Sequence, residues 1–132
     1  MNRILGRHAD KVYAIFRIVA GFLFMCHGLQ KVFGILGGEK MDPFSSIGAF
    51  AGVIELVCGF LIMIGFLTSW AAFLASGTMA VAYFMAHQPE GTWPIQNHGE
   101  LAALYAFVFL YIAARGAGPL SVAAAARNPR LE

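Results

Sequence analysis

Four long apolar runs constrain this chain more than any other feature of its sequence. They cover residues 12–33, 47–67, 70–86 and 100–115, and short polar segments separate them. A helix that crosses the hydrocarbon core of a bilayer needs about 20 apolar residues, so a chain of 132 residues holds four such helices and little else. We therefore predict an all-α membrane protein, a single domain over residues 1–132 with four transmembrane helices in an antiparallel bundle.

The composition excludes several classes of protein. Charged residues make up 12% of the chain and hydrophobic residues 59%, whereas a soluble globular domain carries about 25% charged residues. The apolar excess is too large for a soluble core of this size to bury. This excludes an ordinary soluble enzyme, a disordered chain and a nucleic-acid-binding domain, and it leaves the lipid bilayer as the first partner.

The distribution of lysine and arginine predicts how the bundle is oriented. The two ends of the chain, which four spans place on one face, carry six basic residues: Arg3, Arg7, Lys11, Arg115, Arg127 and Arg130. The opposite face carries Lys31 and Lys40. Because cytoplasmic segments of membrane proteins are enriched in lysine and arginine, we expect a multi-pass protein of the cell membrane with both termini in the cytoplasm.

The spacing of glycines in the second run indicates which way its one charge faces. Gly48, Gly52, Glu55 and Gly59 recur at helical spacing and share one narrow stripe. Small residues mark the side on which membrane helices approach closely. Glu55 is therefore predicted to face the bundle interior and not the lipid.

The first run gives the same result independently. Arg17, Gly21, Phe24, Gly28 and Lys31 lie on one stripe of a helix. Two charges and two glycines thus share a face, which predicts that both charges point toward the neighbouring helices.

The position of each polar residue along its helix places most of them near one end of the bundle. At a rise of about 1.5 Å per residue, Glu55 lies near the midplane and Arg17 lies in the cytoplasmic half. The outer half holds His27, Lys31, His87, Asn97, His98 and Glu100. We predict one polar pocket there, with Glu55 as its floor.

The predicted roles follow from the rule that ionisable residues inside a membrane are expensive and usually functional. The candidate catalytic residues are Glu55, Lys31 and Glu100. Burial favours an ion pair, in which Glu55 is paired with either Lys31 or Arg17, and a pocket shared with Glu100 is the next alternative. The same charges could instead serve only to fix the register of the helices. The candidate ligand-binding residues are Arg17, His27, His87, Asn97 and His98.

The chemistry of this pocket suits a quinone-like head group better than a haem or a metal ion. Such a head group could lodge beside Lys31 and Glu55, with its apolar tail between the helices. A haem needs two histidines at one depth on facing helices, and His27 and His87 are only roughly level. A zinc site built on the loop histidines lacks a standard ligand spacing. We expect no metal, and the identity of any cofactor is left open.

Short motifs follow one another along the chain: RIVAG at 17–21, HGLQK at 27–31, Glu55 with Gly59, GFLT at 65–68, NHGELAALY at 97–105 and GAGPLS at 116–121. Together they resemble the DoxX family of membrane proteins over residues 12–122. His98 stands where that family usually has a glycine, and Val122 stands where an aspartate often follows the serine.

The resemblance implies a four-helix integral membrane protein of a family commonly labelled as oxidoreductases. Relatives are linked to thiosulfate:quinone oxidoreductase subunits and to membrane-associated redox-stress complexes. We therefore expect an oxidoreductase or redox-complex subunit that binds a quinone or a small redox substrate. The alternatives are a structural anchor subunit of a larger membrane complex and a small proton-coupled transporter acting as a homodimer. The family's polar motif residues fall on Arg17, Lys31, Glu55, Asn97 and Glu100.

Overall fold

A computed structural model describes residues 4–41 and 46–132, so Arg3 lies outside the described residues. The regular structure in these two ranges is helical, without a strand. The α-helices are α1 (Ala9–Phe33), α2 (Ile47–Ile64), α3 (Thr68–Ala82), α4 (Glu100–Arg115) and α5 (Val122–Ala126). A π-helical segment extends α3, and short 3-10 turns complete the fold: Tyr83–His87 (π), Gly6–His8, Gln88–Glu90 and Pro129–Leu131.

The second helix ends earlier than its apolar run predicts. Gly65 adopts a left-handed conformation, and its N–H bonds back to the carbonyls of Leu61 and Ile62. Glycine adopts this conformation without the penalty that a Cβ atom brings. A short turn therefore separates α2 from α3, which begins at Thr68.

Helix length bears on the membrane prediction. The helical segments Gly6–Phe33, Ile47–Ile64 and Thr68–Glu90 are long and apolar enough to cross a membrane, so the chain is a multi-pass membrane protein. Helix α4 has 16 residues, which gives it a length of about 24 Å against a hydrocarbon core of about 30 Å. A fourth crossing by α4, and the cytoplasmic location of both termini, stay predictions.

Helices α1 and α2 pack antiparallel along a seam of glycines. A Cβ atom on Gly59 would lie 2.5 Å from the backbone nitrogen of Met25, and one on Gly21 would lie 2.6 Å from that of Met63. Only glycine permits the two backbones to approach so closely. The seam occupies the face that the glycine spacing predicts, except that Gly48 is exposed.

Helix α4 closes the bundle by packing against both α1 and α3. The rings of Phe24 and Phe109 lie 4.6 Å apart between centroids, and the Ser76 hydroxyl donates a 2.7 Å hydrogen bond to the carbonyl of Ala106. All four long helices contribute to one apolar core: Tyr13, Ala20, Phe24, Cys58, Ile62, Ala71, Ala72, Ala75, Met79, Tyr105, Phe109 and Ile112.

The antiparallel arrangement gives the bundle two distinct ends. At one end, the Tyr13 hydroxyl near the start of α1 donates a 2.5 Å hydrogen bond to the carbonyl of Gly116. We call this the tail end, since it also holds the α2–α3 turn and residues 116–132. The other end, where α1 finishes and residues 83–99 join α3 to α4, is called the loop end.

Candidate functional site

A cleft of about 1060 Å³ lies between α2 and α3 and extends from Trp70, near the start of α3, to the loop end. Its walls are mostly apolar, and wall residues such as Phe50 and Trp70 are 62% and 76% exposed. In a bilayer these side chains face lipid, so the cleft opens sideways toward the membrane. Its polar lining is confined to a few residues: His27, Lys31, Glu55, Thr78, His87, His98 and Tyr105.

The floor of the cleft is an ion pair between two helices. The Lys31 ammonium on α1 lies 2.6 Å from Oε1 of Glu55 on α2. The Glu55 side chain is 3% exposed and that of Lys31 is 33% exposed. Gly52 makes room for this lysine, because a Cβ atom there would lie 2.7 Å from the Lys31 Cβ atom. Of the partners that the sequence offers to Glu55, the structure places Lys31 and not Arg17 beside it.

The second carboxylate oxygen of Glu55 is buried and has no hydrogen-bond partner within the part of the chain that the structure describes. A buried polar atom without a partner costs free energy, and such an atom in a native structure requires an explanation. Glu55 also lines the cleft. Among the described residues, this oxygen is therefore a buried acceptor on the floor that a bound donor would satisfy.

A third helix contributes to the same floor. His27 on α1 lines the cleft, and its ring packs edge-on against the ring of Tyr105 on α4 at a centroid distance of 6.2 Å. Tyr105 is 8% exposed and also lines the cleft. The sequence-based prediction of the pocket does not include Tyr105, because it places Glu100 there by depth alone.

Glu100 does not lie in the predicted pocket. It is exposed in the first turn of α4 and does not line the cleft. Leu104 and Phe107, which share its stripe, are 62% and 72% exposed. This face of α4 points away from the core, so the pocket that Glu100 was expected to share with Glu55 does not form.

Asn97 organises the segment that caps the loop end. It is fully buried, and its amide donates hydrogen bonds to the Gly91 carbonyl at 2.9 Å and the Tyr83 hydroxyl at 3.3 Å. Its side-chain oxygen accepts from the Gly99 N–H at 2.9 Å. Nδ1 of His87 lies 3.2 Å from the Asn97 carbonyl oxygen. Asn97 thus holds the backbone of this segment and does not itself line the cleft.

The segment that Asn97 holds in place brings two histidines to the rim of the cleft. His98 is exposed and has a positive φ of 58°, a conformation that is uncommon for a residue with a side chain. His87, at the end of the π-helical segment, is half-buried. Both line the cleft, as the depth argument predicts, but on its rim and not on its floor.

Arg17 lies at the tail end, away from the cleft, and is fully buried. One terminal nitrogen donates to the carbonyls of Ile62 and Met63 at 2.7 and 2.8 Å, and the other to those of Leu120 and Pro119 at 2.7 and 3.3 Å. The last carbonyls of a helix lack partners within the helix. Arg17 therefore caps α2 and fixes the segment after α4, and its predicted role in binding a ligand has no support in this placement.

The residues of the cleft determine what chemistry it can perform. Within residues 4–41 and 46–132, no three His, Cys, Asp or Glu side chains come close enough to ligate one metal ion. Cys26 and Cys58 are free thiols. The floor offers ammonium donors, a carboxylate acceptor and an imidazole beneath apolar walls. This suits an amphipathic molecule with a hydrogen-bonding head group.

Comparison with known proteins agrees with this architecture. The family model for DoxX matches residues 12–88, more than half of the chain, and so includes the Lys31–Glu55 pair. An uncharacterized protein of Haemophilus influenzae is 41% identical over 123 residues, which cover 86% of this chain and 90% of the relative. No solved structure matches the chain. The chain belongs to the DoxX family.

Proposed function

We propose that this DoxX-family membrane protein binds a quinone-type molecule in the cleft between α2 and α3, and acts as a membrane oxidoreductase or as a subunit of one. The observation that carries the proposal is the Lys31–Glu55 pair, which forms a polar floor under apolar walls. A buried ion pair with one oxygen left without a partner is costly to maintain for packing alone.

The dimensions and the opening of the cleft support this class of ligand. Its volume of about 1060 Å³ is at the upper end of the range for small-molecule sites, which are mostly apolar with a few convergent polar groups. The exposed wall residues Phe50, Trp70 and Phe73 leave an entrance on the lipid side. A molecule dissolved in the bilayer would therefore reach the floor without crossing water.

The polar groups on the floor match the two carbonyl groups of a quinone ring. Lys31 carries three N–H donors, and one of them is used by Glu55. Among residues 4–41 and 46–132 the other two have no partner, and they would donate to a ring carbonyl. His27 lines the same cavity, and an imidazole can donate or accept a hydrogen bond. These groups would bind the head group.

The two tryptophans offer a direct binding assay. Trp70 lines the cleft, whereas Trp93 is exposed on the loop-end segment and does not line it. A Trp93→Phe variant in lipid nanodiscs retains only the cleft reporter, and a Trp70→Phe variant retains only the loop reporter. Titration with decylubiquinone and with a tailed naphthoquinone is expected to give saturable quenching in the first variant and only weak, non-saturable quenching in the second. Equal quenching in both would contradict the proposal.

The role of the floor is tested by removing both charges together. The Lys31→Met/Glu55→Met double variant, made in the Trp93→Phe background, is expected to lose at least about tenfold in quinone affinity, because hydrogen bonds to charged groups contribute about 1.5–3 kcal/mol each. Lys11→Met is the matched control, since Lys11 is exposed on the same helix at the tail end. Unchanged affinity in the double variant would overturn the site and favour a role as an anchor subunit.

A further inference from the structure

We infer that the cleft binds the hydroquinone form of its ligand more tightly than the quinone form. The inference rests on the proposed function and adds a preference that quinone binding alone does not require. It comes from the hydrogen-bonding capacity that is left unused on the floor of the cleft.

The unused capacity is an acceptor. Oε1 of Glu55 accepts from the Lys31 ammonium at 2.6 Å, a distance at which the two groups form an ion pair. An ionised carboxylate has acceptors and no donor. Oε2 is buried and unpartnered among the described residues. The floor therefore lacks a donor at this position, and only a molecule that carries an O–H or N–H group can supply it.

The two redox forms of a quinone differ in this property. A quinone ring presents carbonyl oxygens, which only accept hydrogen bonds. A hydroquinone presents hydroxyl groups, which also donate. A carbonyl placed against Oε2 would set two acceptors against each other, whereas a hydroxyl would donate a charge-assisted hydrogen bond. Glu55 consequently distinguishes the two forms.

The other groups of the floor do not reverse this preference. The remaining N–H groups of Lys31 can donate equally to a carbonyl or to a hydroxyl oxygen. The Tyr105 hydroxyl and the neutral imidazoles of His27, His87 and His98 can each donate or accept. Lys31 thus contributes affinity for both forms, and Glu55 contributes the difference between them.

Glu55 can present its free oxygen to a ligand without a change of backbone. The terminal torsion of a glutamate side chain is broad and roughly two-fold, so the carboxylate can turn to bring Oε2 toward the cleft, and Oε1 moves with it. The Lys31 side chain is 33% exposed and can adjust with it. Tighter binding of the hydroquinone would raise the reduction potential of the bound couple, by about 30 mV for each tenfold difference in affinity. A raised potential makes the bound quinone the stronger electron acceptor, so the cleft would favour reduction of the quinone over oxidation of the hydroquinone.

The preference is measured with both redox forms of one probe. Decylubiquinone and decylubiquinol are titrated separately, without oxygen, into the Trp93→Phe protein in nanodiscs. We expect the hydroquinone to bind at least about tenfold more tightly, as one hydrogen bond to a charged group implies. In Glu55→Gln the terminal amide supplies a donor, so the ratio of hydroquinone affinity to quinone affinity is expected to fall to about one or to invert. Glu90→Gln, an exposed site outside the cleft, is the matched control and should keep the ratio.

A change in the ligand provides a second measurement that needs no mutation at Glu55. The dimethyl ether of decylubiquinol retains the shape of the hydroquinone and lacks both O–H groups, so it is expected to bind the unmodified cleft no more tightly than the quinone. An ether that binds as tightly as the hydroquinone would overturn the inference, as would equal affinities for the two redox forms. Absence of binding by either form would instead overturn the proposed function.

Discussion

At the tail end a buried cation donates most of its hydrogen bonds to backbone carbonyls. Nearer the loop end, a buried ion pair keeps a carboxylate oxygen without a partner among the described residues. Arg17 donates to four backbone carbonyls, and its Nε atom has no partner within the described part of the chain. Lys31 and Glu55 share one contact, and Oε2 of Glu55 lacks a partner among the described residues beside an open cleft. The arginine and the lysine lie on the same stripe of α1.

The difference shows that burial of a charge in a membrane helix does not by itself indicate a site. Among the described residues each end keeps one buried atom without a partner, Nε of Arg17 and Oε2 of Glu55. What separates the two ends is that Glu55 lines the cleft and Arg17 does not. By this criterion Arg17 is structural and the Lys31–Glu55 pair is the candidate site. The predictions below test that distinction, from the largest expected effect to the smallest.

Replacement of Arg17 by methionine is expected to destabilise the protein by about 3–5 kcal/mol. Several carbonyls lose their partner at once, and each buried acceptor left unsatisfied costs about 1–3 kcal/mol. Denaturant unfolding in detergent, followed by far-UV circular dichroism, measures the loss, with Lys11→Met as the control. The folded fraction of the variant should bind quinone normally. A loss below about 1 kcal/mol would break the comparison at the tail end.

Single and double replacements of the ion pair should behave differently. Lys31→Met leaves the Glu55 carboxylate buried without its partner and is expected to cost about 2–4 kcal/mol, since removal of one member of a buried pair is strongly destabilising. The Lys31→Met/Glu55→Met double variant should recover most of this loss, because an apolar pair of similar volume is often neutral. The same unfolding measurement applies. A double variant as unstable as the single one would indicate that the pair is structural.

Substitution of a glycine in the α1–α2 seam and of one in the cleft should change the free energy of unfolding by smaller amounts and in opposite directions. Gly59→Ala is expected to cost about 1–3 kcal/mol through overpacking, because its Cβ atom would meet the α1 backbone at 2.5 Å. The readout is the unfolding free energy together with the yield of folded protein. A neutral substitution would show that the seam can separate without cost.

Gly77, which lines the cleft on α3, has no atom within 4 Å of the position of a Cβ atom. Gly77→Ala is expected to stabilise the protein by about 0.5–1 kcal/mol, which is the helix propensity of alanine over glycine. Gly77→Phe should keep the fold and reduce quinone affinity by filling the cleft. Destabilisation by alanine would mean that the cleft is closed in the membrane.

The sequence predicts much of the bundle because its strongest signals are local. Apolar length places the four long helices, and helical spacing identifies the α1–α2 seam through Gly21, Gly28 and Gly59. Lys31 was one of two partners proposed for Glu55, and spacing alone could not choose between them. That choice depends on the rotation of α1 against α2, which the glycine contacts determine.

The remaining features depend on contacts between distant residues. The role of Arg17 requires carbonyls at the end of α2 and the carbonyl of Leu120, and the role of Asn97 requires the path of residues 83–99. The error on α4 has a different cause. Its polar first residue, Glu100, suggested an inward face, whereas the helix buries the face of Tyr105 and Phe109 instead.

The hydrogen bonds of Arg17 also set an order of events during synthesis. Its partners on α2 lie 45 and 46 positions later in the chain, and its partner Leu120 lies 103 positions later. At a synthesis rate of about 5–20 residues per second, the second set arrives about 5–20 s after Arg17 is made. During this interval α1 carries an arginine that disfavours membrane insertion by about 2.5–3.5 kcal/mol. Until the end of α2 and the segment beyond α4 supply those hydrogen bonds, the apolar residues of α1 must offset the cost of its arginine.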